Sequence, residues 1–132
     1  MVPCSITQVK KMEICHTQSQ GVVIVTPTGW LDAAASEDFS KYCTALPSAP
    51  VILDLSGLTY ISSTGLRAVL QFGKKRREQG TDVVISGSSG FVRSVLRMSG
   101  FDQLFLMYPS VADAIQVIGR PAATMPDDSR GV

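Results

Sequence analysis

The sequence predicts an α/β domain built on a small mixed or largely parallel sheet of about four to five strands, with about four helices. Three observations lead there. Short β-branched or apolar runs alternate with helical patterns along the chain, the signature of strands connected through helices. The run "PVILDLS" (50–56) is continuously apolar, as in a strand covered on both faces. Most helical patterns open near a hydroxyl or Asp and stop at Gly or Pro.

Taken in order, residues 1–10 show no periodicity and are expected to be a flexible segment or an edge strand. "MEICHTQ" (12–18) alternates weakly and reads as a short strand. "GVVIVTPTG" (21–29) is a β-branched run halted by Pro27 and Gly29. From Asp32 a helix follows, with Ala35, Phe39, Tyr42, Cys43 and Leu46 on one face, ended by Pro47 and Pro50. After the 50–56 strand, a helix begins at Ser63. It carries Leu66, Val69, Leu70 and Gly73 at i, i+3, i+4 and i+7, and stops near Gln79 and Gly80.

"TDVVISG" (81–87) is the next strand, and "GFVRSVLRMSG" (90–100) a helix with Val92, Val95 and Leu96 inward. "QLFLM" (103–107) is expected to be a last short strand. Ser110 and Asp113 form a capping box before the apolar face Val111, Ala114, Ile115 and Ile118. The predicted order is β, β, α, β, α, β, α, β, α. The domain is placed at residues 11–119, and the tail 120–132, polar with two prolines, is expected to be disordered.

A chain of 132 residues with 45% hydrophobic and 17% charged residues can bury one real core. The formal net charge of +1 gives no reason to expect nucleic acid or an acidic membrane as partner. Cys4, Cys15 and Cys43 are odd in number and scattered, which supports neither a disulfide framework nor a zinc site. No apolar run approaches the ~18–20 residues of a membrane helix, and the N-terminus lacks the apolar stretch of a signal peptide. A soluble, cytoplasmic protein without membrane insertion is expected.

The stretch "LTYISSTGLRAVL" sets three hydroxyls, Ser62, Ser63 and Thr64, between a β-like run and a helix. One hydroxyl is explained as an N-cap, worth ~1 kcal/mol. Three are not. An exposed serine at a helix N-terminus is also suited to phosphorylation, because free N–H groups and the positive end of the helix dipole face the added charge. Local physics leaves both readings open and favours the cap. Asp32 reads as the N-cap of its helix and could lie at the same end of the sheet as Ser63. Lys74–Arg77 reads as a solvated face near a helix C-terminus. With His16 as the one histidine, no His-based triad can be assembled. "SGSSG" (86–90) lacks the lysine and spacing of a phosphate loop. Trp30, beside Gly29, is a candidate exposed aromatic.

Three stretches together resemble the STAS domain family, in its anti-sigma factor antagonist branch, over about residues 12–118. "TGWLDAAASEDF" is similar to the family's G-x-[LIV]-D segment at Gly29, Leu31 and Asp32. "VILDLSGLTYISSTGLRAVL" is similar to the central strand, the D-S-[ST]-G-[LI] loop and the helix after it. "VISGSSGFVRSVLRMSGFDQLF" is similar to the late strand and the helix ending in M-S-G-[LF]. The resemblance implies a mixed sheet with helices mainly on one side. It implies a non-enzymatic regulator without cofactor that binds a histidine-kinase-like serine kinase, which otherwise holds a sigma factor. Phosphorylation would break that complex and a PP2C-type phosphatase would restore it.

Carried over by register, the phosphoacceptor is Ser63, with Thr64 and Ser62 as neighbouring alternatives. The partner-binding residues are Asp32, Ser62, Ser63, Thr64, Gly65 and Leu66. The chain departs from the signature at one place, where Ser62 stands instead of the aspartate. A rival reading of the same resemblance is an adaptor subunit that docks, without phosphorylation, on an ATPase of a membrane transport complex. A small α/β enzyme is disfavoured, since no nucleophile–base pair or metal cluster is visible.

Overall fold

A computed structural model describes residues 7–9 and 12–118. The expectations for residues 1–6 and for the tail 120–132 lie outside the described residues. β2 (Met12–Ser19) and β3 (Val22–Leu31) form an antiparallel hairpin. Gln20 and Gly21 turn it with φ of 56° and 80°, the left-handed pair that suits strand twist in a two-residue loop. β1 (Thr7–Val9) pairs with the outer side of β2.

β3 is ten residues long and has two parallel partners on one side. Its first half pairs with β4 (Val51–Asp54), and its second half with β5 (Leu58–Ile61). β6 (Val83–Ser86) and β7 (Met107–Tyr108) extend the sheet in parallel beyond β4. The resulting order is β1-β2-β3-β4-β6-β7, with β5 beside the far end of β3. The helices are α1 (Ala33–Thr44), α2 (Ser63–Glu78), α3 (Gly90–Met98), α4 (Phe101–Leu104) and α5 (Val111–Ile118).

The pleat assigns the two cores. Val23, Val25, Val51, Leu53, Val83 and Ile85 point to one face, where α1 to α4 contribute Phe39, Phe72, Leu96, Phe101 and others. Val22, Ile52 and Val84 point to the opposite face, which α5 covers with Ala114. Strand alternation of period two, with β-branched residues on both faces, accounts for the continuous apolar runs. The mixed sheet with helices mainly on one side is therefore the observed architecture. The strands are more numerous than expected; β4, β6 and β7 are shorter than the runs that predicted them, and β3 is longer.

Three boundaries differ from expectation. The strand expected to halt at Pro27 and Gly29 runs through both and ends at Leu31. The strand placed at 50–56 ends at Asp54, and a second strand follows at Leu58–Ile61 after a turn. The Asp54 carboxylate accepts from the Ser56 amide at 3.1 Å, an Asx-type bond that draws the backbone out of the ladder. The strand placed at 103–107 begins instead as helix: Phe101–Leu104 make one helical turn, and only Met107 and Tyr108 pair. Gly100, at φ 79°, ends α3 and redirects the chain. Phe101 and Phe105, four apart, then stack at 5.5 Å between centroids and are both buried. That four-residue spacing outweighs the β-like composition of "QLFLM". The Ser110 capping box is present, with the Asp113 amide donating to Ser110 Oγ at 3.2 Å.

The basic run is divided by burial. Lys74, Lys75 and Arg77 are exposed, but Arg76 is buried. Its Nη2 donates to the carbonyls of Pro47 and Ala49, each at 2.6 Å, and its guanidinium lies over Phe72. Arg76 thus ties the end of α2 to the loop between α1 and β4. Burial lowers its pKa, an effect opposed by Cys43, and burial pushes the Cys43 thiol up to about 12 against the pull of Arg76. Cys43 therefore packs as a neutral group.

Arg76→Met should lower stability by about 1–3 kcal/mol, because it leaves two loop carbonyls without their donor. Lys should rescue only in part, since an ammonium lacks the planar fork. Denaturant midpoints of the three proteins check this, and an Arg76→Met midpoint equal to the parent's contradicts the strut. A second expectation concerns Gly73. In an open helix interior, Gly→Ala gains about 0.5–1 kcal/mol. At Gly73, however, a Cβ would collide with the Phe105 ring. Overpacking of that kind costs about 1–3 kcal/mol, so Gly73→Ala should melt earlier than the parent, not later.

Candidate functional site at two paired helix N-termini

Asp32 and Ser62 each end a strand and cap a helix. The Asp32 carboxylate accepts from the Ala35 amide at 3.0 Å, and Ser62 Oγ accepts from the Gly65 amide at 3.1 Å. Both caps have the extended backbone that an N-cap needs. The two turns are joined directly, since the Ser62 amide donates to the Leu31 carbonyl at 3.0 Å. β3 and β5 run parallel here, so α1 and α2 start side by side.

Gly65 makes the approach possible. A Cβ there would strike the Leu31 carbonyl and sit 3.1 Å from Ile61 Cγ1. Gly65 is buried, which gives it a packing position behind the loop instead of an exposed one. Asp32, Ser62 and Leu66 are half-buried, and Ser63 and Thr64 are exposed. All six residues singled out from sequence thus meet at one end of the sheet. The hydroxyls divide their roles: Ser62 is the cap, so Ser63 and Thr64 are not held by that duty.

The electrostatics follow from the helix ends. Neither α1 nor α2 has an acidic residue in its first turn. Two positive dipole ends therefore adjoin, with the Asp32 carboxylate as the anion at the cap of α1.

Other candidates fall elsewhere. His16 lies on β2 and its Nδ1 is 2.5 Å from the Tyr42 hydroxyl, a strand-to-helix bond. The cleft lined by Cys43, Phe72, Lys75 and Arg76 lies toward the C-terminal ends of α1 and α2, away from Ser63. Among the described residues no cluster of three or more His, Cys, Asp or Glu could hold a metal ion. No described helix is long and apolar enough to cross a membrane.

Sequence reasoning singled out Trp30 but missed its neighbours. Trp30 and Tyr60 lie opposite each other on β3 and β5, with ring centroids 5.5 Å apart. Phe91 stacks on Tyr60 at 5.6 Å and 5°. A register shift between Gly29 and Trp30 sets this row, with Gly29 at φ 90°. Residues 30 apart in sequence give no local signal of such a row.

The STAS domain family model matches residues 14–114. BtrV of Bordetella bronchiseptica, whose proposed role is anti-sigma factor antagonist, is 32% identical over 97 residues, covering 71% of this chain and 84% of the relative. Two solved structures carry the same fold. An anti-sigma factor antagonist from Mycobacterium paratuberculosis has a TM-score of 0.75 at 20% identity, covering 83% of this chain and 95% of that one. A sulfate transporter family protein from Wolinella succinogenes has a TM-score of 0.66 at 20% identity, covering 76% and 86%. The family match spans both capped turns, the α2 helix and the late β6–α3 segment, and on that extent this chain belongs to the STAS domain family.

Proposed function

We propose that this chain is an anti-sigma factor antagonist that works by partner switching. Unmodified, it binds an anti-sigma factor of the histidine-kinase-like serine kinase type through the Ser63 loop, the Asp32 turn and the start of α2. Phosphorylation at Ser63 releases it, and a PP2C-type phosphatase returns it to the binding form. Two of the relatives above are described as anti-sigma factor antagonists, and catalysis here is assigned to the kinase, which supplies ATP and Mg²⁺. The action is placed in the cytoplasm.

The observation that carries this reading is the division of labour among the hydroxyls. Ser62 caps α2, while Ser63 stands exposed in the first turn of that helix. A phosphate on Ser63, of charge roughly −1.5 to −2, would face an N-terminus with no acidic residue in its first turn. The fold tolerates that charge, while an apposed protein surface has to desolvate it. The similarity to a transporter family protein keeps one other reading in view, an adaptor that docks on a transport ATPase with Ser63 as static contact.

Ser63→Ala should cost little stability and bind the kinase without being labelled. Ser63→Glu should stay folded and bind at least about tenfold more weakly, whereas Ser62→Ala should cost about 1 kcal/mol as a lost cap. Incubation with labelled ATP and calorimetric titration measure all three. Full labelling of Ser63→Ala, together with tight binding by Ser63→Glu, would sink the switch at Ser63. Binding to a transport ATPase with no phosphoserine would select the adaptor.

Asp32→Asn keeps most of the capping and removes the charge. The expected result is a small change in melting temperature and a larger loss of kinase affinity. Equal affinity of variant and parent would assign Asp32 to capping alone.

A further inference from the structure

We propose that Trp30, Tyr60 and Phe91, continued along α3 by Val95 and Met98, form an apolar strip on which the anti-sigma factor docks while it reads the Ser63 loop. The proposal rests on the partner-switching reading above and names the surface that reading leaves unspecified. The strip is unusual in its exposure. Trp30 is 41%, Phe91 54% and Met98 86% exposed, which makes them three of the four large hydrophobic residues on the described surface. Phe91, Val95 and Met98 fall at i, i+4 and i+7 of α3 and so share one side of that helix. Val95 leans on the core, and Phe91 stacks on Tyr60.

Position selects the occupant. Trp30 immediately precedes Leu31, whose carbonyl receives the Ser62 amide, and Tyr60 lies two residues before Ser62. The strip is therefore continuous with the switch turns through covalent and hydrogen bonds. Size points the same way. A specific interface needs on the order of 800 Å² from each partner, with an apolar centre. Asp32, Ser63 and Thr64 form a small polar surface that cannot supply that centre. The adjoining aromatics can, and Trp and Tyr are the side chains most often found to dominate binding energy. A partner complementary to this strip presents aliphatic or aromatic side chains beside the groups that reach Ser63.

Trp30 is the only tryptophan in the chain, so it reports on the strip directly. The probe is the purified kinase that labels Ser63 in the experiment above. Adding it should shift Trp30 emission to the blue and protect it from acrylamide. Phe91→Ser and, independently, Met98→Ser should weaken binding at least about tenfold, Met98→Ser with unchanged melting temperature and Phe91→Ser with the small loss expected of its stacking on Tyr60. Both variants should still be labelled at Ser63 under saturating kinase. If the kinase binds in a Ser63-dependent way but Trp30 emission stays constant and both variants bind like the parent, the strip proposal is overturned and partner switching stands. A blue shift that grows with protein concentration without kinase identifies a second copy as the occupant and also overturns it. If no kinase binds or labels the parent chain, both the switch and the strip fall.

Discussion

The hydrogen bond from the Ser62 amide to the Leu31 carbonyl holds together the end of this molecule that carries the candidate site. It closes the last step of the β3–β5 ladder and fixes where two helices begin. It forms because Gly65 presents no Cβ to the Leu31 carbonyl. A side chain at Gly65 would force the α2 turn outward and break the close approach. Asp32 and Ser62 would then still cap their own helices, but the two N-termini would no longer share a surface.

The length of β3 explains why this junction exists at all. A strand of ordinary length, roughly five to six residues, would pair with β4 and end there. β3 runs ten residues, so its second half projects past β4 and needs another partner, which β5 supplies. The chain accommodates both strands by leaving the ladder after Asp54 and returning at Leu58. Gly57 permits the return, since a Cβ there would lie 2.7 Å from Thr28 Cγ2. The register shift beside Gly29 absorbs the mismatch and lines Trp30 up with Tyr60. The exposed aromatic row and the two adjoining capped turns are thus two results of one overlong strand.

Much of this was legible in sequence because the signals were local. Helix starts at Asp32 and Ser110 are written in cap residues, and buried strands in β-branched runs. That Asp32 could share one end of the sheet with the Ser63 turn was legible because both follow directly on strands. What was not legible depended on distant partners. Arg76 looks like its three basic neighbours in sequence, and only the carbonyls of Pro47 and Ala49 distinguish it. Gly73 looks like a weak helix residue until Phe105 is placed against it. Phe105 sat inside the run 103–107, whose composition suggested a strand, and its i, i+4 spacing from Phe101 was the overlooked signal. Trp30, Tyr60 and Phe91 meet only through the sheet register.

The replacement of the signature aspartate by Ser62 can be weighed in the same physical terms. An N-cap must accept a hydrogen bond from the first turn, and serine and aspartate do so about equally well. The structural duty of the position is therefore kept, as the bond to the Gly65 amide shows. What is lost is a carboxylate one residue from Ser63. Two anions so close repel, so a carboxylate at position 62 would oppose a phosphate next to it, whereas a hydroxyl does not. In the proposed switch the serine cap therefore leaves the positive end of α2 for the phosphate, with the Asp32 charge standing across the Leu31 bond on α1. The same substitution removes a group that could orient the acceptor hydroxyl before transfer. That orientation then depends on the kinase. Under the proposed switch the consequence would be a phosphorylated state easier for this fold to hold and an acceptor less prepared by its own chain, with the control of phosphorylation in the docking contact.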